Sequence, residues 1–153
     1  MIKVNVFSEE KAWSKRLKNQ SLFFKKVCKS FPKKYQFLNK KVSLNLLLSN
    51  NKNIKKLNKY FRNKNKSTDV LSFPASTKIK ISKNTFLGDI IISYNYLDKP
   101  KSQELRLFKN KVVKIFIHGY LHLLGFDHIK NKDYSKMLRR ENFLYNSVKF
   151  KID

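Results

Sequence analysis

All three histidines of this 153-residue chain lie in one eleven-residue window, with the spacing H-x-x-x-H-x-x-G-x-x-H. His118 and His122 are four residues apart, so a helix would place both imidazole rings on one face, one turn from each other. The preceding residues predict such a helix, because apolar side chains recur at helical spacing over residues 105–124. Gly125 follows the predicted helix end, where glycine lets the chain reverse direction and bring His128 back toward the other two.

This spacing also predicts a metal site. Imidazole is the commonest protein ligand of metals, and three imidazoles supply the protein ligands of a catalytic zinc while leaving one position open for water. We therefore expect one Zn²⁺ ion per chain, bound by His118, His122 and His128, although three imidazoles also suit other divalent transition metals. Water bound to such an ion has a pKa of about 7, so hydroxide would form at neutral pH.

The histidine spacing is similar to that of metzincin zinc sites, with one difference. Metzincin proteases carry a glutamate directly after the first histidine as general base, and this chain has Gly119 at that position. A zinc-dependent protease is therefore an alternative function, but one without its usual proton acceptor.

Two further segments combine with the histidine window in a resemblance to a known family. Residues 57–74, LNKYFRNKNKSTDVLSFP, are similar to the pattern L-N-x-x-(F/Y)-R-G-K-D-K-P-T-D-V-L-S-F-P. Residues 87–93, LGDIIIS, are similar to the pattern L-G-D-I-x-I-S. Together with HGYLHLLGFDH, these segments resemble the YbeY endoribonucleases, bacterial metalloproteins of rRNA maturation, and the three blocks agree in order and spacing across residues 57–128.

The chain departs from the family pattern directly after Arg62. It has Asn63 in place of glycine, Asn65 in place of aspartate and Ser67 in place of proline. The arginine and the Thr-Asp pair at 68–69 stay in place, and we expect this pair to organise the loop that holds Arg62.

The resemblance implies a single-strand-specific, metal-dependent endoribonuclease of 16S rRNA 3′-end maturation and ribosome quality control. Arg62 occupies the position of the family's functional arginine, and a guanidinium can donate two parallel hydrogen bonds to a phosphate that gains charge during cleavage. The predicted catalytic residues are Arg62, His118, His122 and His128. The general base stays open between metal-bound hydroxide and a base acting on the RNA 2′-hydroxyl. Asp127 is either a positioning residue for His128 or a turn residue.

The implied partners are 16S rRNA and its precursor, together with small-subunit ribosomal proteins or assembly factors. Lysines near Arg62 would contact the RNA backbone; they are Lys55, Lys56, Lys59, Lys64 and Lys66. A further alternative is a ribosome-associated protein with a non-catalytic, structural zinc. Structural zinc prefers four protein ligands, so this alternative requires a carboxylate as the fourth.

The charge and the residue composition indicate where the protein acts and what kind of partner it binds. The formal net charge is +25, from 35 Lys and Arg against 10 Asp and Glu, which favours a partner with phosphates. A Lys- and Asn-rich composition of the kind that an AT-rich genome encodes accounts for part of this charge, and a basic helix on a membrane surface is an alternative. With one cysteine, Cys28, no secretion signal and no run of about 18 apolar residues, we expect a cytoplasmic protein without a membrane partner.

The predicted elements indicate an α/β fold of the α+β type in one domain, residues 1–153. Predicted strands and helices alternate, and they are strands at 2–6, 42–48, 70–73 and 87–92 and helices at 9–30, 50–61, 103–124 and 133–147. The first three strands are separated by helices and are expected to be parallel, whereas the fourth follows without a helix and is expected to be antiparallel. This gives a mixed four-stranded sheet with one antiparallel strand, helices packed on it, and a zincin-like metal cleft beside it.

A few residues with reactive or capping side chains have structural roles in this prediction. Ser102 is the expected N-cap of the helix that carries the histidines, and Ser49 or Asn50 is the expected N-cap of the helix that ends near Phe61. Asp89 is expected to be a structural acid at a strand, and Cys28 and Met137 are expected in the core.

Overall fold

The computed structural model of the protein describes residues 1–127 and 131–152. Within them, the strands are β1 (Ile2–Ser8), β2 (Lys41–Ser49), β3 (Val70–Pro74) and β4 (Asn84–Ser93). The helices are α1 (Ala12–Arg16), α2 (Gln20–Lys29), α3 (Asn51–Arg62), α4 (Tyr94–Leu97), α5 (Leu105–Leu123) and α6 (Asn131–Val148), with a short 3-10 turn at Lys33–Tyr35. Among these described helices, none has the length and apolar character needed to cross a bilayer.

The four strands form one mixed sheet in the order β1-β2-β4-β3. β1 pairs with β2 and β2 pairs with β4 in parallel, whereas β3 pairs with β4 in antiparallel. The predicted mixed sheet with one antiparallel strand is confirmed, but the antiparallel strand is the third and not the fourth. Because no helix separates β3 from β4, the two pair directly as an antiparallel unit. β4 therefore regains the direction of β2 and lies between β2 and β3.

Gly88 permits the close pairing of β3 with β4. It lies opposite Pro74 in the register and has a φ of +135°, a conformation that residues with a side chain rarely adopt. A Cβ atom built at this position would lie 2.2 Å from the carbonyl oxygen of Phe73. Only glycine therefore fits here.

The sheet has its main core on one face and a smaller cluster on the other. Alternate residues of β2 are fully buried, as the period-two pattern predicts. α2 packs beside β1, and α5 packs across β3 and β4. α3 covers part of the opposite face, where Ile54 packs with Leu71 and Ile91. The C-terminal parts of α3 and α5 thus both border β3.

The predicted helix over residues 9–30 is wrong as one element, since the chain bends between α1 and α2. The Nε1 of Trp13 donates a hydrogen bond to a carbonyl oxygen at the end of β2, 2.9 Å away, and Leu17 is buried. Asn19 then begins α2, because its side chain accepts a hydrogen bond from the N–H of Leu22. The bend allows both apolar side chains of the first segment to enter the core.

The prediction that Ser102 caps the histidine helix is also wrong. Ser102 has a φ of +61°, and α5 begins at Leu105. The intervening Gln103 is buried, and its side-chain Nε2 donates to the carbonyl oxygen of Leu97 at 2.6 Å. The main-chain carbonyl oxygen of Gln103 accepts a hydrogen bond from Nη2 of Arg16 at 2.6 Å. These tertiary hydrogen bonds hold residue 103 outside the helix.

Other structural predictions are confirmed. Asn50 caps α3 by accepting a hydrogen bond from the N–H of Asn53 at 2.8 Å. Met137 and Cys28 are buried, and burial raises the pKa of the Cys28 thiol, which keeps it protonated. Asp89 accepts a hydrogen bond from an asparagine of β2 within the sheet, which fits a structural acid.

α5 ends in the predicted glycine turn. Gly125 has a φ of +97°, and its N–H donates a hydrogen bond to the carbonyl oxygen of His122 at 3.0 Å. The N–H of Phe126 donates to the carbonyl oxygen of Leu121 at 3.0 Å. This pair of hydrogen bonds is the Schellman motif, which satisfies the last carbonyl groups of the helix and reverses the chain.

We expect Gly125→Ala to destabilise the protein through its backbone alone, because a Cβ atom at this position would meet nothing within 4 Å. Placing an ordinary residue at positive φ costs about 1–2 kcal/mol, which lowers the Tm by roughly 2–8 °C for a chain of this size. Thermal unfolding followed by circular dichroism measures this change. Gly125→Asn is the matched control and should recover part of the loss, since asparagine tolerates this conformation; equal Tm values for Gly125→Ala and wild type would contradict the argument.

Candidate metal centre

His118 and His122 lie one turn apart on α5 with their rings facing each other. The ring centroids are 4.6 Å apart at an interplanar angle of 79°, and the two Nε2 atoms approach to 3.1 Å. Both side chains are partly exposed and line the same cleft. The structure therefore brings together the two helical histidines as the spacing predicts.

The separation of the two Nε2 atoms fits a shared metal ion. Zinc–nitrogen bonds of about 2.05 Å at tetrahedral angles place two ligand nitrogens about 3.3 Å apart. The 3.1 Å observed between Nε2 of His118 and Nε2 of His122 is close to this value. The same spacing also allows one ring to donate a hydrogen bond to the other, and either arrangement requires the rings to converge as they do.

His128, the third predicted ligand, lies outside the described residues. The chain does return toward the cleft after Gly125, because Phe126 and Asp127 line the cleft together with the two helical histidines. Across residues 1–127 and 131–152, no three potential metal-ligating side chains converge. The predicted zinc site therefore depends on His128 as its third ligand.

Glu141 is a residue of this site that the sequence analysis missed. Its Oε1 lies 2.5 Å from Nδ1 of His118, the ring atom opposite the Nε2 that faces His122. An ionised carboxylate can only accept a hydrogen bond, so Nδ1 of His118 carries a proton, and in the neutral ring this leaves the lone pair on Nε2. Carboxylates commonly orient metal-binding histidines in this manner.

The sequence did contain a signal for Glu141. On α6, Met137 and Leu144 are buried at helical spacing, and Glu141 lies between them on the same face. A carboxylate on the buried face of an amphipathic helix requires a polar partner from another element. Here α6 packs against α5, and that partner is His118.

Arg62 occupies the cleft at the C-terminal end of α3. Its Nη2 donates to the main-chain carbonyl of Ser72 at 3.1 Å, and its guanidinium carbon lies 5.7 Å from the ring centroid of Phe73. Arg62 is thus held by β3. Asp69 stabilises the loop that precedes β3, since its carboxylate accepts hydrogen bonds from the Thr68 hydroxyl at 3.2 Å and the Val70 N–H at 2.8 Å.

Asn63 ends α3 directly after this arginine. It has a φ of +56° and a ψ of +34°, the left-handed conformation that most often belongs to glycine at a helix end. Asparagine is the residue with a side chain that adopts this conformation most readily. The departure from the family pattern at position 63 therefore preserves the local backbone.

Ser72 connects Arg62 to the histidine helix. The carbonyl oxygen of Ser72 accepts from Arg62, and its buried hydroxyl donates to the carbonyl oxygen of Gly119 at 2.9 Å. One residue of β3 thus contacts both the guanidinium and the residue that follows His118. The resulting cleft has a volume of about 630 Å³ and also includes Lys64 and Asp69 in its lining.

Gly119, the position at which metzincins carry their glutamate, faces the sheet. A Cβ atom built there would lie 3.0 Å from Cγ2 of Ile90 and 3.1 Å from Oγ of Ser72. A side chain at position 119 would therefore enter the packed layer between α5 and the strands. The geometry explains why the general base of a metzincin has no counterpart at this position.

Comparisons with known proteins agree across the length of the chain. The family model described as Endoribonuclease YbeY matches residues 5–149. A protein named Endoribonuclease YbeY from Pelagibacter ubique (strain HTCC1062) is 58% identical over 152 residues, covering 99% of each chain. A protein of the same name from Buchnera aphidicola subsp. Acyrthosiphon pisum (strain APS) is 38% identical over 133 residues, covering 80% of this chain and 85% of that one.

A solved structure is also similar. The solution structure of TM1509 from Thermotoga maritima aligns with a TM-score of 0.58 and 25% sequence identity, covering 95% of this chain and 88% of that chain. The mixed sheet, the paired histidines of α5 and the family match over residues 5–149 agree, and the chain belongs to the endoribonuclease YbeY family.

Proposed function

We propose that this protein is a single-strand-specific endoribonuclease that depends on a divalent metal, zinc in the first instance. The observation that carries the proposal is the convergence of Nε2 of His118 and Nε2 of His122 to 3.1 Å in a cleft that also contains Arg62. Membership in the endoribonuclease YbeY family supports RNA as the substrate class.

His118, His122 and His128 would hold the ion, with the fourth position left for water or substrate. When bound, the ion supplies a Lewis acid that acidifies water and polarises a phosphoryl oxygen. Glu141 accepts a hydrogen bond from the Nδ1–H of His118, which leaves the lone pair of the neutral ring on Nε2, facing the cleft.

Arg62 would stabilise the charge that gathers on the phosphate during cleavage. A guanidinium carries five N–H donors, and Ser72 accepts one of those of Arg62. Other donors can bind non-bridging oxygens in the bidentate geometry that arginine favours with phosphate. Because Arg62 is fixed by Ser72 and by the ring of Phe73, this stabilisation needs little reorganisation.

The position of Gly119 favours RNA cleavage over the protease alternative. A peptidase of the metzincin type uses a carboxylate directly after the first histidine, and in this protein that position faces Ile90 and Ser72 in the core. The presence of Arg62 in the cleft also favours a phosphodiester over a peptide. A structural zinc would prefer four protein ligands, and the three predicted histidines do not supply a fourth.

We extend the proposal to the substrate and setting that the family resemblance implies. The substrate would be the 3′ end of 16S rRNA and its precursor, and the protein would act in ribosome quality control in the cytoplasm. Its protein partners would be small-subunit ribosomal proteins or assembly factors. The net charge of +25 supports a partner that carries many phosphates.

We expect Arg62→Lys to lower the rate of RNA cleavage by about 10²–10³-fold, because lysine cannot reproduce bidentate hydrogen bonding to phosphate. Cleavage of a single-stranded RNA oligomer by zinc-loaded protein measures the rate, and elemental analysis measures bound zinc, which should not change. Arg106→Lys, at an exposed arginine near the start of α5, is the matched control. Undiminished cleavage by Arg62→Lys would contradict the role of Arg62.

The same assay tests the function itself. His122→Ala should lose both bound zinc and RNA cleavage while keeping its fold by circular dichroism. Wild-type protein that cleaves a peptide library and leaves RNA intact would establish the protease alternative. Cleavage of rRNA by folded His122→Ala would show that the metal site is not catalytic.

We expect Glu141→Gln to weaken zinc binding by about 10–100-fold, since the amide is a poorer acceptor for the Nδ1 proton of His118. Competition with a chromophoric chelator measures the zinc affinity, and ¹⁵N chemical shifts of the imidazole report which nitrogen of His118 carries the proton. Glu104→Gln makes the same chemical change at an exposed carboxylate beside α5 and should leave both readouts unchanged. Wild-type zinc affinity and an unchanged tautomer in Glu141→Gln would show that Glu141 has only a packing role.

A further inference from the structure

A second, basic cavity lies beside the metal cleft. It has a volume of about 320 Å³ and is lined by Lys34, Tyr35, Lys136, Arg139, Arg140 and Phe143. Four of these six residues are cations and the other two are aromatic, and among the described residues that line it there is no carboxylate. The cavity therefore has the chemical character of a site for an anion that also carries flat rings.

Arg140 is fixed in this cavity by Tyr35. Its Nη1 donates to the Tyr35 hydroxyl at 2.6 Å, and the main-chain carbonyl of Tyr35 accepts from the buried hydroxyl of Tyr120 at 3.0 Å. Tyr120 belongs to α5, between the two histidines of the metal centre. The guanidinium is therefore anchored to the same helix that carries His118 and His122.

The basic cavity and the metal cleft meet at one contact. The guanidinium carbon of Arg140 lies 4.6 Å from the ring centroid of Phe126, and Phe126 lines the metal cleft. The next residue of α6, Glu141, contacts His118. A chain of phosphates that crosses the metal centre can thus continue over Phe126 into the basic cavity.

We infer that this basic cavity is a second RNA-binding subsite, which binds backbone phosphates of the strand beside the one being cleaved. This inference rests on the proposed function. Lys136 and Arg139 are exposed on α6, three residues apart, and neither forms an ion pair with a carboxylate among the described residues. Phe143 is 54% exposed one turn further along, where it can stack on an unpaired base.

The cations of the two cavities would then bracket the metal centre. Arg62 and Lys64 line the metal cleft itself, and Arg140 leads from Phe126 toward Lys136 and Arg139. Such contacts are to phosphates and carry no base sequence, so the subsite would add affinity and strand direction without sequence preference.

The test compares Lys136→Glu/Arg139→Glu with wild type in binding to single-stranded RNA. The probe is a fluorescent 2′-O-methyl RNA of about 12 nucleotides, a length within the range that single-strand-binding domains cover. Anisotropy gives the Kd of zinc-loaded protein at several salt concentrations, and a denaturing gel verifies that the probe stays intact. The control is Lys101→Glu/Arg106→Glu, which makes the same charge change near the start of α5, about 18 Å along the helix from His118.

Each phosphate contact contributes about 0.7 to the slope of log K against log salt for single strands, so losing two contacts lowers the slope by about 1.4. We expect this reduction, with weaker binding at low salt, in the Lys136/Arg139 variant and not in the control. Equal slopes for the two variants would overturn the subsite, as would a wild type that binds no RNA.

Cleavage of unmodified RNA is measured separately. Failure of wild type to cleave RNA would refute the proposed function, while the salt slopes would still decide whether the basic cavity binds RNA. If the double variant binds RNA like the control but loses binding to an acidic polypeptide such as polyglutamate, the cavity is a protein-docking site and the inference is wrong.

Discussion

The hydrogen bond from the Ser72 hydroxyl to the carbonyl of Gly119 holds the two sides of the cleft at a fixed separation. Arg62 is tied to the main chain of β3 through the carbonyl of the same serine, while the histidines are carried by α5. Because Ser72 is buried, water competes little for this bond. A guanidinium and a pair of histidines from separate elements are thereby positioned by a strand rather than by a loop, which gives the precision that a reactive site needs.

The features predicted correctly from the sequence are those encoded within a few neighbouring residues. The four-residue spacing of His118 and His122, the glycine turn at Gly125 and the asparagine cap at Asn50 each depend on one helix and its ends. The alternating burial of β2 follows from the two-residue period of a strand. Local patterning therefore anticipated the four strands, the helices α3, α5 and α6, and the convergence of His118 with His122.

The features that were missed arise from contacts between distant segments. Glu141 lies 23 residues from His118, and only the packing of α6 on α5 brings them together. The direction of β3 depends on its pairing with β4, which a count of intervening helices does not determine. The break between α1 and α2 follows from burial of Trp13 and Leu17, although Asn19 in the middle of the predicted helix was a visible signal for a new helix start.

The inward orientation of Gly119 limits how this scaffold could be redesigned. Grafting a glutamate there to create a peptidase would direct the new carboxylate into the packed interface with Ile90. A designer would have to supply a proton acceptor from another element of the cleft lining, such as the residues near Thr68 and Asp69. Sharing the histidine spacing of a protease is therefore not enough to give this fold the protease's proton acceptor.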